Sequence, residues 1–402
     1  MNAVFAPSAP RGSVRVPASK SCAHRLLICA AFAEGESVVR NVSFSEDILA
    51  TLDCLRALGA EFSVDGTEVR IHSGKRSGES AILPCRESGS TLRFLIPAAL
   101  LTGGGVFGGT KRLLDRGVGV YENLLRDSAS FERISETDLR VSGALNAGEF
   151  KVPGDVSSQF ISGLLFALPV LEESSTLSVQ PPFESRGYVD LTLDAMRRFG
   201  VRVRRTGDCF FIPGGQKYFP AEETVEGDWS QAAFFCAMNA LGGEIGIQGL
   251  NPESLQGDRA CEGMLAQIQK GYLEADLSDC PDLAPALFAA AAACGHGARF
   301  TGTRRLTIKE SNRAEVMAKE LSKFGARLIV EENSVEAAAC AIHAPAEPLS
   351  GSNDHRIVMA LSILAACFGG EIQGAEAVRK SYPNFFEDLR ALGVSVRTEG
   401  ET

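Results

Sequence analysis

The feature that most restricts the fold is a recurring run: an amphipathic helix, a glycine, and then a polar-interrupted β stretch. Residues 52–59 read LDCLRALG and lead into AEFSVDGTEVRIHSG. Residues 193–200 (LDAMRRFG), 317–325 (MAKELSKFG) and 386–393 (FEDLRALG) repeat the design. Weaker copies stand at 121–129 (YENLLRDSA) and 264–271 (MLAQIQKG). The runs end at 59, 129, 200, 271, 325 and 393, with spacings of 70, 71, 71, 54 and 68. Each helix carries apolar residues at i, i+3 and i+4, and each closing glycine suits the left-handed conformation of a helix C-terminus. Asp65-Gly66 and Gly207-Asp208 are the expected hairpin turns. One such unit cannot bury its own apolar face, so neighbouring units must pack together.

Six α/β units are therefore expected, three in each half. A chain of 402 residues suits two domains of about 200 residues. The junction is placed near residues 225–228. A first strand at 12–16 precedes the first complete unit and can return to the second domain.

Composition removes other classes. The net charge of −10 argues against nucleic acid or an anionic membrane as partner, while leaving room for a local cationic pocket. The apolar stretch 283–294 is too short to span a bilayer and reads as a buried helix. The 11 cysteines show no CxxC spacing, so neither a zinc site nor a disulfide scaffold is expected. Free thiols suit a reducing compartment.

The polar residues of interest gather where apolar helices begin. Ser19, Lys20 and Ser21 lie between a strand at 13–17 and a helix expected over 23–33, with His24 and Arg25 in its first turns. Glu87, Ser88, Gly89, Ser90, Thr91, Leu92 and Arg93 open an apolar run over 94–101, and Arg116 follows. Ser157, Ser158 and Gln159 precede ISGLLFALP. Helix starts expose N–H groups that attract anions, and cations there add formal charge. The second half adds acids: Asp282 before an apolar helix, Lys309 to Arg313 (KESNR) before another, and Asn353, Asp354, His355 and Arg356 before IVMALSILAA. Lys380 stands before the last helix. Carboxylates held among cations can exchange protons with a bound anion. No paired histidines or acidic metal spacing occur, so no metal or other cofactor is expected.

The strings PASKSCAHR, ESGSTLRF, SSQFISGLL, VEGDWSQAAFF, LQGD, PDLAPAL, KESNRAEVMAKEL, NDHRIVMA and KSYPNFFEDL run in one order along the chain. In these the sequence resembles the EPSP synthase (3-phosphoshikimate 1-carboxyvinyltransferase) family over essentially its whole length. The resemblance implies a two-domain inside-out α/β barrel with six βαβαββ repeats, three per domain, and an active site in the interdomain cleft. It assigns 18–226 to one domain and 1–17 plus 227–402 to the other. It also implies a cytoplasmic monomer of the shikimate pathway.

The implied activity is transfer of the enolpyruvyl group of phosphoenolpyruvate to the 5-hydroxyl of shikimate 3-phosphate. Lys20, Ser21, Arg25, Ser157, Ser158, Gln159, Ser185, Tyr188, Asp282 and Lys309 would meet shikimate 3-phosphate. Lys20, Gly89, Arg116, Gln159, Arg313, Arg356 and Lys380 would surround phosphoenolpyruvate. The catalytic set would be Asp282, Glu310, Lys20, Lys380 and His355.

The sequence departs from the family pattern at Ala18, Glu87, Phe94, Gly117, Arg305 and Asn312, which bear on phosphoenolpyruvate affinity and on inhibition by glyphosate. Two other readings fit these residues less well. A sister enzyme acting on UDP-N-acetylglucosamine would carry asparagine at Ser21 and a loop cysteine near Arg116, and neither is present. A non-enzymatic binding protein would lack Lys20, Asp282, Glu310 or Lys380, and all are present.

Overall fold

The computed structural model describes residues 1–74 and 81–400 and divides the chain into two compact units, Ala18–Glu226 and Met1–Pro17 with Gly227–Thr402.

The Ala18–Glu226 unit holds three four-stranded sheets of one design. In the second, Ile82–Arg86 pairs in parallel with Gly104–Gly109, which pairs antiparallel with Asp138–Gly143, which in turn pairs with Ala129–Arg133. The third sheet runs Glu149–Pro153, Ser175–Gln180, Cys209–Ile212, Arg204–Thr206 in the same senses. The first runs Glu222–Thr224, Glu36–Arg40, Glu68–His72, Glu61–Asp65. Its outer parallel strand comes from the far end of the unit, so the chain closes on itself. Hairpins turn at Gly207-Asp208 and at Gly66-Thr67, the latter one residue beyond the expected pair because Asp65 still pairs with Glu68.

The helices divide by hydrophobicity. Lys20–Phe32, Gly89–Leu100 and Ser158–Ala167 are apolar nearly all round, and such helices belong in a core. Of Gly89–Leu100 only Ser90 is not buried. Glu46–Ala57 and Arg186–Arg198 are two-faced and lie partly in solvent. Two of the buried helices start earlier than their sequences suggest. Ser19 caps Lys20–Phe32 by accepting from the Cys22 N–H, and Ser88 caps Gly89–Leu100 by accepting from the Thr91 N–H. What reads as loop is therefore the first helical turn, and Lys20, Ser21 and Gly89 are helical residues.

Pro97 lies inside Gly89–Leu100 and cannot donate to the Arg93 carbonyl four residues back. The Tyr121 hydroxyl takes that role, donating to Arg93 O at 2.8 Å. Gly163 makes this approach possible: a Cβ there would lie 2.2 Å from the Tyr121 oxygen.

The other unit has two four-stranded sheets and one two-stranded sheet. Leu273–Asp276, Ala298–Thr301, Ser334–Ala337 and Leu328–Val330 repeat the design. In the last sheet, Leu349–Ser350, Gly370–Gln373, Asn2–Ala6 and Ser395–Glu399 are neighbours in that order. Asn2–Ala6, which the proline-flanked sequence concealed, fills the place of the missing second hairpin strand. Arg11–Arg15 pairs in parallel with Glu244–Gln248 and goes no further. The six sheets keep the expected six units, three in each half, but this one is abbreviated. The helix Cys261–Ile268 runs straight into Leu273–Asp276 with no hairpin between, which accounts for the short spacing of 54. Trp229–Ala240, Ala284–Cys294 and His355–Phe368 are the buried helices. Among the described residues no helix is long and apolar enough to cross a membrane.

Candidate active site

In both units the polar residues collect at the starts of buried helices, and hydrogen bonds tie those starts together. In the Ala18–Glu226 unit, Lys20 Nζ contacts Asp47 Oδ2 at 2.7 Å, joining the helices Lys20–Phe32 and Glu46–Ala57. Arg25, one turn further on and 3% exposed, donates Nη1 to Ser21 O (2.7 Å), Nε to Thr192 Oγ1 (2.8 Å) and Nη2 to Tyr188 O (2.8 Å). Its guanidinium lies 5.1 Å from the Phe94 ring centre. Burial pushes its pKa down to about 10, which leaves it charged at neutral pH. Ser185, in a left-handed conformation (φ 57°), starts the helix that carries Tyr188.

The third helix start belongs to Gly89. A Cβ on Gly89 would lie 3.0 Å from Arg116 Nη2 and 3.0 Å from Arg93 Nη1, so two guanidinia flank a backbone with no side chain. Arg93 Nη1 donates to Gln159 Oε1 (2.8 Å), and Gln159 Nε2 donates to Ser90 Oγ (3.0 Å). Ser157 caps the helix Ser158–Ala167 by accepting from the Gln159 N–H. Gly117, next to Arg116, has φ 72° and accepts from Arg93 Nη2 at 3.2 Å. A proline there could not adopt that angle. Lys20, Arg25, Arg93 and Arg116 thus stand at or beside helix N-termini, where the backbone also favours negative charge.

The Met1–Pro17 and Gly227–Thr402 unit gathers its residues around Asp282. Asp282 Oδ1 accepts from Lys309 Nζ (3.3 Å) and Arg313 Nη1 (2.9 Å), and Oδ2 from Arg356 Nη2 (3.0 Å). Arg313, 1% exposed, also donates Nη2 to Glu310 Oε2 (2.6 Å) and Nε to Asp354 Oδ2 (2.9 Å). Burial opposes the Arg313 charge, but Asp354, Glu310 and Asp282 outweigh it and hold its pKa above the ordinary value. Asp354 caps the helix His355–Phe368 by accepting from the Arg356 N–H. Arg356 also reaches Ser230 Oγ (3.0 Å) at the start of Trp229–Ala240. Lys380 Nζ donates to Asn353 O at 2.6 Å, beside the same helix start. His355 is 1% exposed, with Nδ1 4.0 Å from Asp354 Oδ1.

Lys20, Ser21, Arg25, Gly89, Arg116, Ser157, Ser158, Gln159, Ser185 and Tyr188 therefore lie on one unit, and Asp282, Lys309, Glu310, Arg313, His355, Arg356 and Lys380 on the other. Asp47 and Ser230, which the sequence did not single out, hold these residues in place, as do Arg93 and Asp354, which stand in the helix-start clusters but carry no expected substrate role. Asp47 reads as an ordinary first-turn acid. Of the departures, Asn312 caps Arg313–Ser322, accepting from the Glu315 N–H, and buried Arg305 donates to Ser278 O. Among the described residues no cluster of three metal-ligating side chains occurs.

A profile of EPSP synthase (3-phosphoshikimate 1-carboxyvinyltransferase) matches residues 4–389. The chain is 38% identical to the 3-phosphoshikimate 1-carboxyvinyltransferase of Clostridium perfringens, covering 98% of this chain and 99% of the relative. It is 39% identical to that of Clostridium kluyveri, covering 96% of each. The fold matches the solved EPSP synthase of Acinetobacter baumannii with a TM-score of 0.81 at 23% identity, over 99% of this chain and 100% of that one. The profile match and the two relatives place the chain in the EPSP synthase (3-phosphoshikimate 1-carboxyvinyltransferase) family.

Proposed function

We infer that the helix-start residues of both units serve one reaction. The chain is an enzyme that transfers the enolpyruvyl group of phosphoenolpyruvate to shikimate 3-phosphate. The observation that carries the assignment of roles is a pair of carboxylates, Asp282 and Glu310, held by one buried guanidinium. Two acids so placed can serve two proton transfers without moving far.

In this reading Glu310 protonates the methylene carbon of phosphoenolpyruvate, making its C2 electrophilic. Asp282 takes the proton of the shikimate 5-hydroxyl as that oxygen bonds to C2. Glu310 then removes a proton from the new methyl group as the C2–O bond to phosphate breaks. The vinyl ether is formed, and phosphate leaves with the proton that Asp282 accepted, which returns both acids to their starting states. Lys20 and Lys380 offset charge on the tetrahedral intermediate and the departing phosphate, with His355 as an auxiliary donor. Ser21, Arg25, Ser157, Ser158, Gln159, Ser185, Tyr188 and Lys309 receive shikimate 3-phosphate. Gly89, Arg116, Gln159, Arg313, Arg356 and Lys380 receive phosphoenolpyruvate. Phosphate release that requires both substrates tests the reading. Release with UDP-N-acetylglucosamine in place of shikimate 3-phosphate would reassign it, and an inhibition curve with glyphosate tests the phosphoenolpyruvate site independently.

Two outcomes follow from the geometry. Gly89→Ala meets only the ends of flexible arginine side chains, so the protein should fold while Arg93 and Arg116 are displaced. The expected result is a KM for phosphoenolpyruvate raised about tenfold, the scale of a weakened charged hydrogen bond, with unchanged thermal unfolding.

The second concerns Lys309. Burial pushes its ammonium below the ordinary lysine range, Arg313 and Arg305 add to the shift, and Asp282 and Glu310 oppose it. Lys309 therefore loses its charge at a lower pH than an exposed lysine does. The KM for shikimate 3-phosphate should rise on the alkaline side, starting below the ordinary lysine pKa. Lys309→Arg stays charged and should move that limb to higher pH. An unmoved limb would separate Lys309 from phosphate binding.

A further inference from the structure

A buried row of side chains lies one helical turn beneath the Lys20–Asp47 ion pair. His24 Nδ1 is 2.7 Å from Thr51 Oγ1, which is 2.7 Å from Thr91 Oγ1. Thr91 Oγ1 donates to Ser88 Oγ at 2.7 Å, and Ser88 Oγ also accepts from the Thr91 N–H at 3.2 Å. His24 is 1% exposed and the three hydroxyl residues are 0% exposed. His24 lies four residues after Lys20 and Thr51 four after Asp47, so row and ion pair are two rungs between the same helices. The far end is Ser88, the cap of the helix that begins at Gly89.

The hydrogens in this row can be counted. Each hydroxyl has one to give. Thr91 gives its own to Ser88 at 2.7 Å in preference to the Asp47 carbonyl at 3.4 Å, and with either acceptor Thr51 must supply the Thr51–Thr91 bond. Thr51 then has none left, and the His24–Thr51 bond must come from a hydrogen on Nδ1. The other ring nitrogen agrees, since Nε2 is buried with no partner. A hydrogen on Nε2 would be a donor removed from water with no acceptor, while a hydrogen on Nδ1 is used. Burial, then Lys20 and Arg25, push the His24 pKa well below the usual histidine value, so the ring carries one hydrogen at neutral pH.

We propose that His24 is a positioning residue for phosphoenolpyruvate binding: its Nδ1–H sets a one-way row of hydrogen bonds through Thr51 and Thr91 to Ser88, fixing the helix start at Gly89 against the Lys20 helix. The proposal rests on the reading that Lys20, Gly89 and Arg116 receive phosphoenolpyruvate. The row touches no substrate; it sets the distance between the cation at Lys20 and the backbone and guanidinia at Gly89.

The test uses the full-length enzyme, with KM for each substrate and kcat measured in His24→Leu, His24→Asn, Thr51→Val and the His24→Leu/Thr51→Val pair. His24→Leu and Thr51→Val should each raise KM for phosphoenolpyruvate about tenfold, with smaller changes in kcat and in KM for shikimate 3-phosphate. The pair should be no worse than the poorer single variant, because both cut the same row. His24→Asn places an amide donor near the Nδ1 position and should recover most of the loss. A nitrogen-15 spectrum of labelled histidine should show His24 with its hydrogen on Nδ1. Wild-type KM for phosphoenolpyruvate in both single variants would overturn the proposal even if both were less stable, and so would a hydrogen on Nε2. An unaltered enzyme that released no phosphate from the two substrates would instead remove the functional reading, and this inference with it.

Discussion

Replacing Asp282 with asparagine should lower kcat about 100-fold or more, the range for losing a general base. The substitution keeps the side-chain shape and one acceptor oxygen. It removes the group proposed to accept the shikimate hydroxyl proton. It also removes the negative charge that three cations now share at 2.9–3.3 Å. With that charge gone, Lys309, Arg313 and Arg356 present more positive potential to anionic substrates. KM for both substrates should therefore hold steady or fall while kcat collapses. That split separates a role in the transition state from a role in ground-state binding. Alanine at the same position should lose at least as much turnover and add disorder among the three cations. Steady-state kinetics, with circular dichroism to confirm the fold, is the measurement. A near-normal kcat in the asparagine variant would take Asp282 out of proton transfer.

The sequence showed the repeat and the helix starts, but placed some boundaries wrongly for identifiable reasons. The amphipathic helices were legible because their apolar residues recur with helical period and end on glycine. The buried helices have no polar face, so periodicity could not mark where they begin. Ser19 and Ser88 look like turn residues, whereas each is a cap whose helix starts at the next position. The strand Asn2–Ala6 was hidden because its partners, Gly370–Gln373 and Ser395–Glu399, lie at the other end of the chain. The short spacing of 54 was visible as a number, but its cause, an absent hairpin, needed the sheet order.

The site was legible in a similar, partial way. Cations at helix starts could be read along the chain. Which acid holds which cation could not. Asp47 and Asp354 act across 27 and 41 residues of sequence, on Lys20 and Arg313 respectively. Tyr121 is a sharper case. It looked like one apolar residue in a weak helix, yet it answers the carbonyl left open by Pro97 and so supports the backbone of Arg93.

Arg313 should give the largest stability loss in the chain. It is 1% exposed and contacts Asp282, Glu310 and the fully buried Asp354. Arg313→Leu fills similar volume near the backbone but leaves Asp354 buried without its guanidinium. Breaking a buried pair by removing one partner typically costs about 3–5 kcal/mol. In a unit of this size that corresponds to a fall in Tm of roughly 10 °C. Arg313→Lys restores the charge without the planar fork, so it can serve one carboxylate well but not three at once, and about half the loss should remain. Replacing Asp354 as well, in an Arg313→Leu/Asp354→Leu pair, removes the stranded charge. It should be less destabilised than Arg313→Leu alone, even though more native contacts are gone. Differential scanning calorimetry of the four proteins decides the matter. If the double variant unfolds at a lower temperature than Arg313→Leu, the arginine contributes through its packing and its bonds to Asp282 and Glu310, and the buried Asp354 charge is not what makes its loss severe.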